Sequence, residues 1–422
     1  LFKASIRKDG SSRFGKANRY GIFPAFSAGW VLSKEDFLSS SDVISLLKLR
    51  ASWGKTGNAE IGNFASRDLW NAASYKQLPA IEPAQPESPN LTWEKSSQTD
   101  IGLDFGVFNN RVSGEIDFYN KKTNGLLFYQ NIPYTSGYSN IYRNIGDMKN
   151  TGFEMVINTQ NIKKDNFTWD TNFNVAKNNN EITALPDDNR DQIIGNVIRR
   201  VGERLDSFYL VEYAGVDPNN GDALFYKNTL NPDGSLDKTK TNDYSEAQRI
   251  IAGSSTPDWI AGLTNTVEYK NFDFSFTFYG EFGGNLYNSG GKFMSTSASN
   301  GYDNQTVDQM NRWQNPGDIT NVPQARLGKG NGVEESTRYL EKNDFVRLRN
   351  LSLGYTFNKN LTSSIGVNKL RLYVSAINVL TFTKYSGYDP EARSDTNRGG
   401  GGSTFYSAPP AKTVTFGINV NF

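Results

Sequence analysis

The sequence predicts an all-β protein, and more specifically a transmembrane antiparallel β-barrel. Three observations support this prediction. Apolar and polar residues alternate in twelve segments, the connections between the segments alternate between short and long, and aromatic residues lie near segment ends. Alternation at every second position is typical of a strand with one apolar face. The 39 Gly and the 13% aromatic content of the 422-residue chain also favour a β protein.

The clearest alternation is in segment 413–422, where Val414, Phe416, Ile418 and Val420 are separated by small or polar residues. Segments 272–282 and 100–107 show the same pattern. The nine remaining strands are predicted near residues 1–8, 19–32, 46–54, 111–119, 151–160, 165–176, 257–270, 343–357 and 368–383.

The apolar faces of these strands could contact lipid, or could pack on a second sheet in a soluble sandwich. The opposite faces carry small polar side chains and carboxylates, as expected beside a water-filled lumen. Several segments reach about 10 residues, the length that a tilted membrane strand needs. Aromatic residues near the segment ends fit interfacial girdles, which favours lipid; they are Trp30, Trp53, Trp169, Tyr355, Phe357 and Phe382.

One segment departs from the pattern, because the apolar phase slips by one residue between Leu348 and Leu351, near Asn350. A β-bulge would produce such a slip. A strand whose upper half lies beyond the lipid would produce it as well.

The connections between segments suggest which side each faces. Short turns such as Asn109-Asn110 and Asn271 suit the periplasmic side of a barrel, and long loops suit the extracellular side. The predicted extracellular loops are about 55–97, 121–150, 177–256, 284–342 and 384–411. Twelve strands could close alone, but such long loops fit part of a wider barrel better.

Missing residue types exclude several functions. With no His and no Cys, the chain has no Ser-His-Asp or Cys-His catalytic system, no disulfide and no Fe–S cluster. A net charge of +1 gives no bulk attraction to nucleic acid. The negative mean hydropathy comes without a long apolar run, so no transmembrane helix is predicted. We therefore expect no enzyme activity, cofactor or metal site.

A set of motifs, in a fixed order, resembles the C-terminal half of SusC/RagA-type TonB-linked outer-membrane proteins of Bacteroidetes. The resemblance spans the whole chain, and the ordered set is much more specific than any one motif. The motifs are Lys8–Gly15, Phe23-Pro24, Ser27–Trp30, Leu47–Gly54, Thr56–Asn58, Leu91–Lys95, Asn144–Gly146, Asn150–Glu154 and Tyr385–Glu391.

The resemblance implies that residues 1–422 are the C-terminal part of one outer-membrane barrel of 22 strands. The plug, the TonB-contacting segment and about ten strands of the family pattern are not in this chain, which begins without Met or a signal-peptide pattern. The implied function is TonB-dependent import of oligosaccharides or peptides, and the implied partners are a SusD-like surface lipoprotein, TonB and outer-membrane lipid. A structural or assembly role in a larger outer-membrane complex is the alternative.

Aromatic residues in the long loops are the candidates for contact with a ligand or with the lipoprotein, because aromatic faces hold sugars and peptides in concave sites. Packing within the loops is the competing interpretation. The candidates are Trp70, Tyr75, Tyr134, Tyr138, Tyr142, Tyr209, Tyr213, Trp313, Tyr385, Tyr388, Phe405 and Tyr406.

Five other features have simpler interpretations. Segments 217–222 and 231–237 resemble calcium loops but lack the full ligand spacing, so ordinary turns are favoured. Asp389-Pro390-Glu391 is predicted to order its loop, and the glycine-rich segment 399–402 is predicted to be a mobile loop. Phe422 fits the C-terminal aromatic signal of barrel assembly that the resemblance implies. The inward carboxylates Asp100, Asp104, Glu115, Asp117 and Glu281 are normal for a water-lined lumen, and catalysis by them is disfavoured.

Overall fold

The computed structural model describes residues 1–296, 299–394 and 402–422. Its main feature is an antiparallel sheet whose twelve strands are hydrogen-bonded in chain order. Every segment predicted from alternation is one of these strands, which confirms the all-β prediction. The strands are β1 (Phe2–Gly10), β2 (Tyr20–Val31), β3 (Ile44–Asn58), β4 (Glu94–Val107), β5 (Val112–Asn124), β6 (Asp147–Lys164), β7 (Phe167–Ala184), β8 (Trp259–Tyr269), β9 (Phe272–Phe282), β10 (Phe345–Thr356), β11 (Lys369–Thr383) and β12 (Thr413–Asn421).

Several strands are longer than alternation predicts. Strand β3 continues to Asn58, and its last residues pair with the start of β4 at Glu94–Ser97. Likewise β5 reaches Asn124 and β7 reaches Ala184. These ends are polar on both faces, so they leave no alternation to detect, whereas backbone hydrogen bonds still form. The predicted loops near 55–97, 121–150 and 177–256 therefore begin inside strands. Their extracellular side stays a prediction.

The phase slip in segment 343–357 is a β-bulge. Leu348 and Asn350 pair with consecutive residues of β9, Phe278 and Thr277, so Arg349 is the extra residue of β10 relative to β9. Toward β11 the register is also interrupted between Leu348 and Asn350. The bulge keeps Leu348 and Leu351 in register with Phe278 and Phe276 of β9. Of the two explanations for the slip, the structure supports the bulge.

Clustering of contacts divides the chain into two compact units. The first unit comprises residues 1–159, 176–191 and 200–204. Its loops contain the hairpins Leu69–Tyr75 with Leu78–Gln85 and Leu127–Asn131 with Asn140–Asn144. A small apolar core lies beneath these loops and consists of Phe14, Phe23, Ile61, Ala65, Leu91 and Trp93.

Ion pairs cross the polar face of the first unit's sheet. Arg50 on β3 contacts Asp104 on β4 and Asp117 on β5, each at 2.6 Å. Lys48 also pairs with Asp104, at 2.8 Å. Asp100 accepts hydrogen bonds from Ser52 and Gln98. These carboxylates are therefore partners of neighbouring wall residues.

The second unit comprises residues 160–175, 192–199 and 205–422, and it builds three small sheets from its loops. Their apolar residues form two cores, one around Phe208 and Tyr287 and one around Phe225. The first sheet contains Gln192–Ile194, Val197–Arg199, Ser207–Val211 and Arg249–Gly253; the second contains Tyr213–Val216, Ala223–Tyr226 and Lys240–Thr241; the third contains Leu340–Lys342, Asn285–Asn288 and Ser403–Thr404.

Helical structure is confined to short turns, and no helix in the described ranges is long and apolar enough to cross a membrane. The α-helical turns are Pro186–Asn189, Ser289–Met294 and Lys359–Thr362. The 3-10 turns are Lys16–Asn18, Leu32–Lys34, Tyr134–Ser136, Tyr244–Glu246, Val307–Asn311, Thr337–Tyr339 and Ser363–Ile365.

The last strand exposes a continuous apolar face. On β12, Phe416 is 81% exposed and Ile418 is 64% exposed. Phe422, which follows β12, is also exposed, and its role in barrel assembly stays a prediction. The glycine-rich segment predicted as a mobile loop lies outside the described residues except for Gly402.

Candidate functional site

A cavity of about 970 Å³ lies among the loops of the second unit. This volume is within the range of small-molecule sites in proteins, about 300–1,000 Å³. Tyrosines dominate the aromatic part of the wall, and between them stand amide, hydroxyl and carboxylate groups. The six tyrosines are Tyr213, Tyr226, Tyr339, Tyr385, Tyr388 and Tyr406.

One side of the cavity is built on the small sheet that begins with Tyr213–Val216. The Tyr213 ring packs edge-on against Phe225 of the neighbouring strand, with ring centroids 5.9 Å apart. Its hydroxyl donates a hydrogen bond to the backbone oxygen of Asn321 at 2.9 Å. The two contacts together fix the orientation of the ring, because Phe225 packs against the ring and Asn321 binds its hydroxyl.

The turn Thr337–Tyr339 supplies a second part of the wall. Tyr339 is nearly buried and donates its hydroxyl hydrogen to the backbone oxygen of Gly332 at 3.0 Å. Arg338 donates to the same oxygen at 2.7 Å. The Arg338 guanidinium carbon lies 5.3 Å from the Tyr339 ring centroid and 5.8 Å from that of Tyr213. A cation beside these rings attracts their π faces.

The segment 385–388 supplies a third part. Glu341 accepts hydrogen bonds from the backbone nitrogen of Ser386 at 2.9 Å and from its hydroxyl at 2.6 Å. Tyr385 is buried, and its hydroxyl has no hydrogen-bond partner among the described residues. Tyr388, in contrast, is 70% exposed. This part of the wall therefore combines the buried ring of Tyr385 with the exposed ring of Tyr388.

Three buried tyrosines of the cavity, Tyr213, Tyr339 and Tyr385, have raised pKa values, so their phenols stay neutral. Burial raises the pKa of Tyr213 to about 12. Burial also raises the pKa of Tyr339, and burial together with the charges of Glu341 and Asp389 raises the pKa of Tyr385. Neutral phenols both donate and accept hydrogen bonds. These three residues thus offer hydrogen bonds and aromatic faces without adding charge.

A second cavity of about 600 Å³ shares Tyr388 and Tyr406 with the first. Phe405 lies there, with its ring centroid 4.5 Å from Tyr406 and 5.7 Å from Phe293. The structure therefore brings five candidates together: Tyr213, Tyr385, Tyr388, Phe405 and Tyr406.

Trp313 is placed differently, inside the loop region. It is only 5% exposed, and its indole nitrogen donates to the backbone oxygen of Pro218 at 3.0 Å. A Cβ atom on Gly221 would lie 2.5 Å from the indole ring, so the two residues are closely packed. Tyr209 belongs to the strand Ser207–Val211 and is not among the residues that line either cavity.

The remaining candidates belong to the first unit, where they lie on its loops and hairpins. The side chains of Trp70 and Tyr138 both donate hydrogen bonds to Asp68, at 3.2 and 3.0 Å. Tyr142 pairs with Tyr129, with ring centroids 3.6 Å apart. The two other candidates, Tyr75 and Tyr134, are largely exposed. Trp70, Tyr138 and Tyr142 therefore have partners within the loops, and contact of the five residues with a ligand or the lipoprotein stays a prediction.

Sequence reasoning missed several residues of the cavity wall. Tyr226 and Tyr339 are loop aromatics like the named candidates, so the same criterion would have found them. Arg338, Glu341 and Ser386 gave no comparable signal, because their role depends on contacts between distant loop segments.

The acidic turns hold their own hydrogen bonds. Asp217 accepts from the backbone of Asn219 at 2.9 Å, and Asp233 accepts from that of Ser235 at 2.9 Å. Asp222 pairs with Arg326 at 2.6 Å. In the part of the chain that the structure describes, no group of three or more His, Cys, Asp or Glu side chains is arranged to hold a metal ion.

Comparison with known proteins decides the family. Residues 1–379 match the family described as TonB dependent receptor-like, beta-barrel. The chain belongs to this family. It is of the SusC/RagA type, as the motifs indicate, and such barrels lie in the bacterial outer membrane.

Two curated relatives in this family cover the whole chain. TonB-dependent receptor P3 of Formosa agariphila is 35% identical over 446 residues, and the match spans 44% of that protein. TonB-dependent receptor SusC of Bacteroides thetaiotaomicron is 33% identical over 447 residues, with 42% of its length matched. The chain therefore spans less than half the length of these relatives.

A solved structure, that of the RagAB peptide transporter, is similar over the whole chain. The sequence identity is 32% and the TM-score is 0.90, and the match covers 46% of that chain. The same importer in its open-open state gives 31% identity and a TM-score of 0.88.

Proposed function

We propose that this chain forms part of the barrel of a TonB-dependent importer that takes up oligosaccharides or peptides across the outer membrane. The observation that carries the proposal is the tyrosine-lined cavity on a barrel of the SusC/RagA type. We further propose that Tyr213, Tyr385, Tyr388, Phe405 and Tyr406 contact the nutrient.

The chemistry of the cavity supports a nutrient ligand of this kind. Aromatic faces cover the apolar side of a sugar ring or of a peptide side chain, and neutral phenols form hydrogen bonds with either. Ser386 and Tyr388 are exposed on the wall. Because this part of the wall is open to water, a polar ligand can form hydrogen bonds there without being fully desolvated.

The partners are proposed on the same basis. A SusD-like lipoprotein would cover the loops, TonB would act through an N-terminal part outside this chain, and lipid would contact the exposed apolar faces such as that of β12. One solved relative is a peptide transporter, which supports peptides as one of the two substrate classes. None of the named relatives is described as an enzyme.

Uptake by cells that carry single substitutions tests the proposal. Tyr388→Ala removes an exposed ring from the cavity, and Tyr302→Ala removes an even more exposed ring that lines neither cavity. With the full-length protein, we expect Tyr388→Ala to lower uptake from a tryptic casein digest or a mixed oligosaccharide hydrolysate, and Tyr302→Ala to leave it unchanged. Normal uptake of both mixtures after deletion of the whole gene, with loss of an outer-membrane complex, would favour the structural role instead.

A further inference from the structure

Two arginines of strand β10 hold the segment that follows the cavity wall. The Arg347 guanidinium donates to Asp389 at 2.5 Å and lies 3.0 Å from Glu391. Arg349 donates to Glu391 at 2.5 Å. Glu391 therefore joins both arginines, and two positive charges face two negative charges.

This network is buried around Arg347 and Asp389. Arg347 is 1% exposed and Asp389 is 7% exposed. A buried guanidinium needs a charged partner, because removal from water is costly. Such buried pairs often add little net stability, and where they have a specific role they hold the chain in one arrangement. Here the chain held by the pair is the segment around Asp389 and Glu391.

The spacing of the two arginines explains how both reach the same segment. Arg347 and Arg349 are two residues apart, so strand alternation places both on the polar face. The bulge at Arg349 then restores the apolar register at Leu351. The Arg349 guanidinium carbon lies 4.3 Å from the Tyr279 ring centroid of β9. Stacking on this ring limits the directions that Arg349 can take.

The carboxylates are fixed on their own side as well. Asp389 accepts a hydrogen bond from the backbone nitrogen of Glu391 at 2.8 Å, which closes a local turn. Asn343 donates to the backbone oxygen of Pro390 at 3.1 Å. The backbone at 389–391 is therefore held at a defined place against β10 and the residues just before it.

Asp389 and Glu391, with the two arginines that bind them, form an anchor that follows the cavity-wall segment directly in the chain. Tyr385, Ser386, Gly387 and Tyr388 line the cavity, and Glu341 holds Ser386 at the other end of the segment. A short segment with both ends fixed has few conformations. The exposed Tyr388 lies one residue before the arginine-bound Asp389.

We propose that Arg347 and Arg349 are positioning residues for the nutrient cavity: through Asp389 and Glu391 they set the place of Tyr385 and Tyr388. This inference rests on the proposed function, since it assigns the arginines a role in ligand binding without contact with the ligand. It also predicts a physical effect that does not depend on any ligand, namely order in segment 385–391.

Spin labelling of the full-length protein measures that order. The chain has no Cys, so Tyr388→Cys provides a labelling site within it. Arg347→Met removes the charge and keeps an unbranched side chain, and Glu391→Gln removes the charge that the two arginines share. Arg371→Met is the matched control, because Arg371 pairs with Asp273 at 2.9 Å within the same sheet and does not contact segment 385–391.

We expect Arg347→Met and Glu391→Gln to increase label mobility at position 388, and Arg371→Met to leave it unchanged. In protein with native Tyr388, we expect Arg347→Met and Glu391→Gln to weaken binding of casein-digest peptides or oligosaccharides roughly tenfold, because a preorganised wall is lost. Heat-modifiable migration in gels checks that each barrel is folded, and Glu391→Gln carries the test if Arg347→Met does not fold.

Unchanged mobility in folded Arg347→Met and Glu391→Gln proteins would overturn the inference. Increased mobility with unchanged binding would also overturn it, because the order that the arginines impose on segment 385–391 would then have no effect on the nutrient cavity. If the unmodified protein takes up neither nutrient mixture, the proposed function fails, and the mobility measurement still reports on the anchor.

Discussion

The carboxylate of Glu341 accepts both hydrogen bonds that Ser386 donates, one from the backbone nitrogen at 2.9 Å and one from the hydroxyl at 2.6 Å. This pair connects the short strand Leu340–Lys342 to the segment that carries Tyr385 and Tyr388. The connection is charge-assisted and therefore stronger than one between neutral groups.

The first prediction concerns this pair. Glu341→Gln keeps the shape of the side chain and removes its charge, so the amide accepts more weakly and can no longer use both oxygens. We expect a cost of about 1–2 kcal/mol in holding Ser386, and a several-fold loss of affinity in equilibrium binding of casein-digest peptides or oligosaccharides. Glu246→Gln, which weakens the more exposed pair with Lys227 and lines neither cavity, is the control. Equal effects of the two substitutions would contradict the prediction.

The second prediction concerns Trp313, which is buried against Gly221 and bonded to Pro218. Trp313→Ala leaves a large void, which costs about 3–5 kcal/mol in a packed core. Trp313→Phe retains most of the ring and loses a hydrogen bond worth about 1 kcal/mol. We expect limited proteolysis to cut the loop between β9 and β10 fastest in Trp313→Ala and more slowly in Trp313→Phe. Tyr302→Ala should be cut at the native rate.

The third prediction concerns alkaline pH. Burial raises the pKa of Tyr213 to about 12 from an ordinary value of 10.0, and it also raises the pKa of Tyr287 and Tyr385. A raised pKa means that the folded loops favour the neutral phenol, so this stabilisation is complete below pH 10.0. For Tyr213 it is lost as the pH rises from 10.0 towards about 12.

Ultraviolet absorbance of tyrosinate and loop proteolysis measure this transition together. We expect the loops to become sensitive to protease only as the buried phenols, Tyr213 among them, ionise above pH 10.0. Tyr213→Phe lacks one of these ionisations and should weaken the pH dependence. Loop opening well below pH 10.0 would contradict the assignment of the transition to buried phenols.

The fourth prediction concerns the wall of the first unit. Arg50→Met leaves the partly buried Asp104 and Asp117 without their shared guanidinium. Loss of one partner from a buried pair costs about 3–5 kcal/mol, and the partial exposure of this network places the effect at or below the lower end. Arg7→Met breaks the exposed pair with Asp9 and should change stability by less than about 0.5 kcal/mol. Urea unfolding of the barrel, followed by gel migration, compares the two variants.

Alternation predicted the strands because a strand with one face in an apolar environment needs an apolar residue at every second position. Even the bulge at Arg349 was visible in the sequence, as a one-residue shift of this alternation. The small loop sheets were not predicted, because strands such as Tyr213–Val216 and Leu340–Lys342 are too short to show a period. The sequence predicted that aromatic loop residues line the cavity, but it did not predict which of them lie together. Trp313 and Tyr388 are both large aromatic loop residues, but only contacts between distant segments show that the first is buried and the second is accessible.

Photo-crosslinking at the cavity tests the central claim most directly. A photoreactive phenylalanine analogue at position 388 of the full-length protein is irradiated during uptake of a casein digest or an oligosaccharide hydrolysate, and the adducts are identified by mass spectrometry. The same analogue at position 302, which lines neither cavity, is the control. Our account predicts nutrient adducts at position 388 and few at position 302. Active uptake with no adduct at position 388 would contradict it.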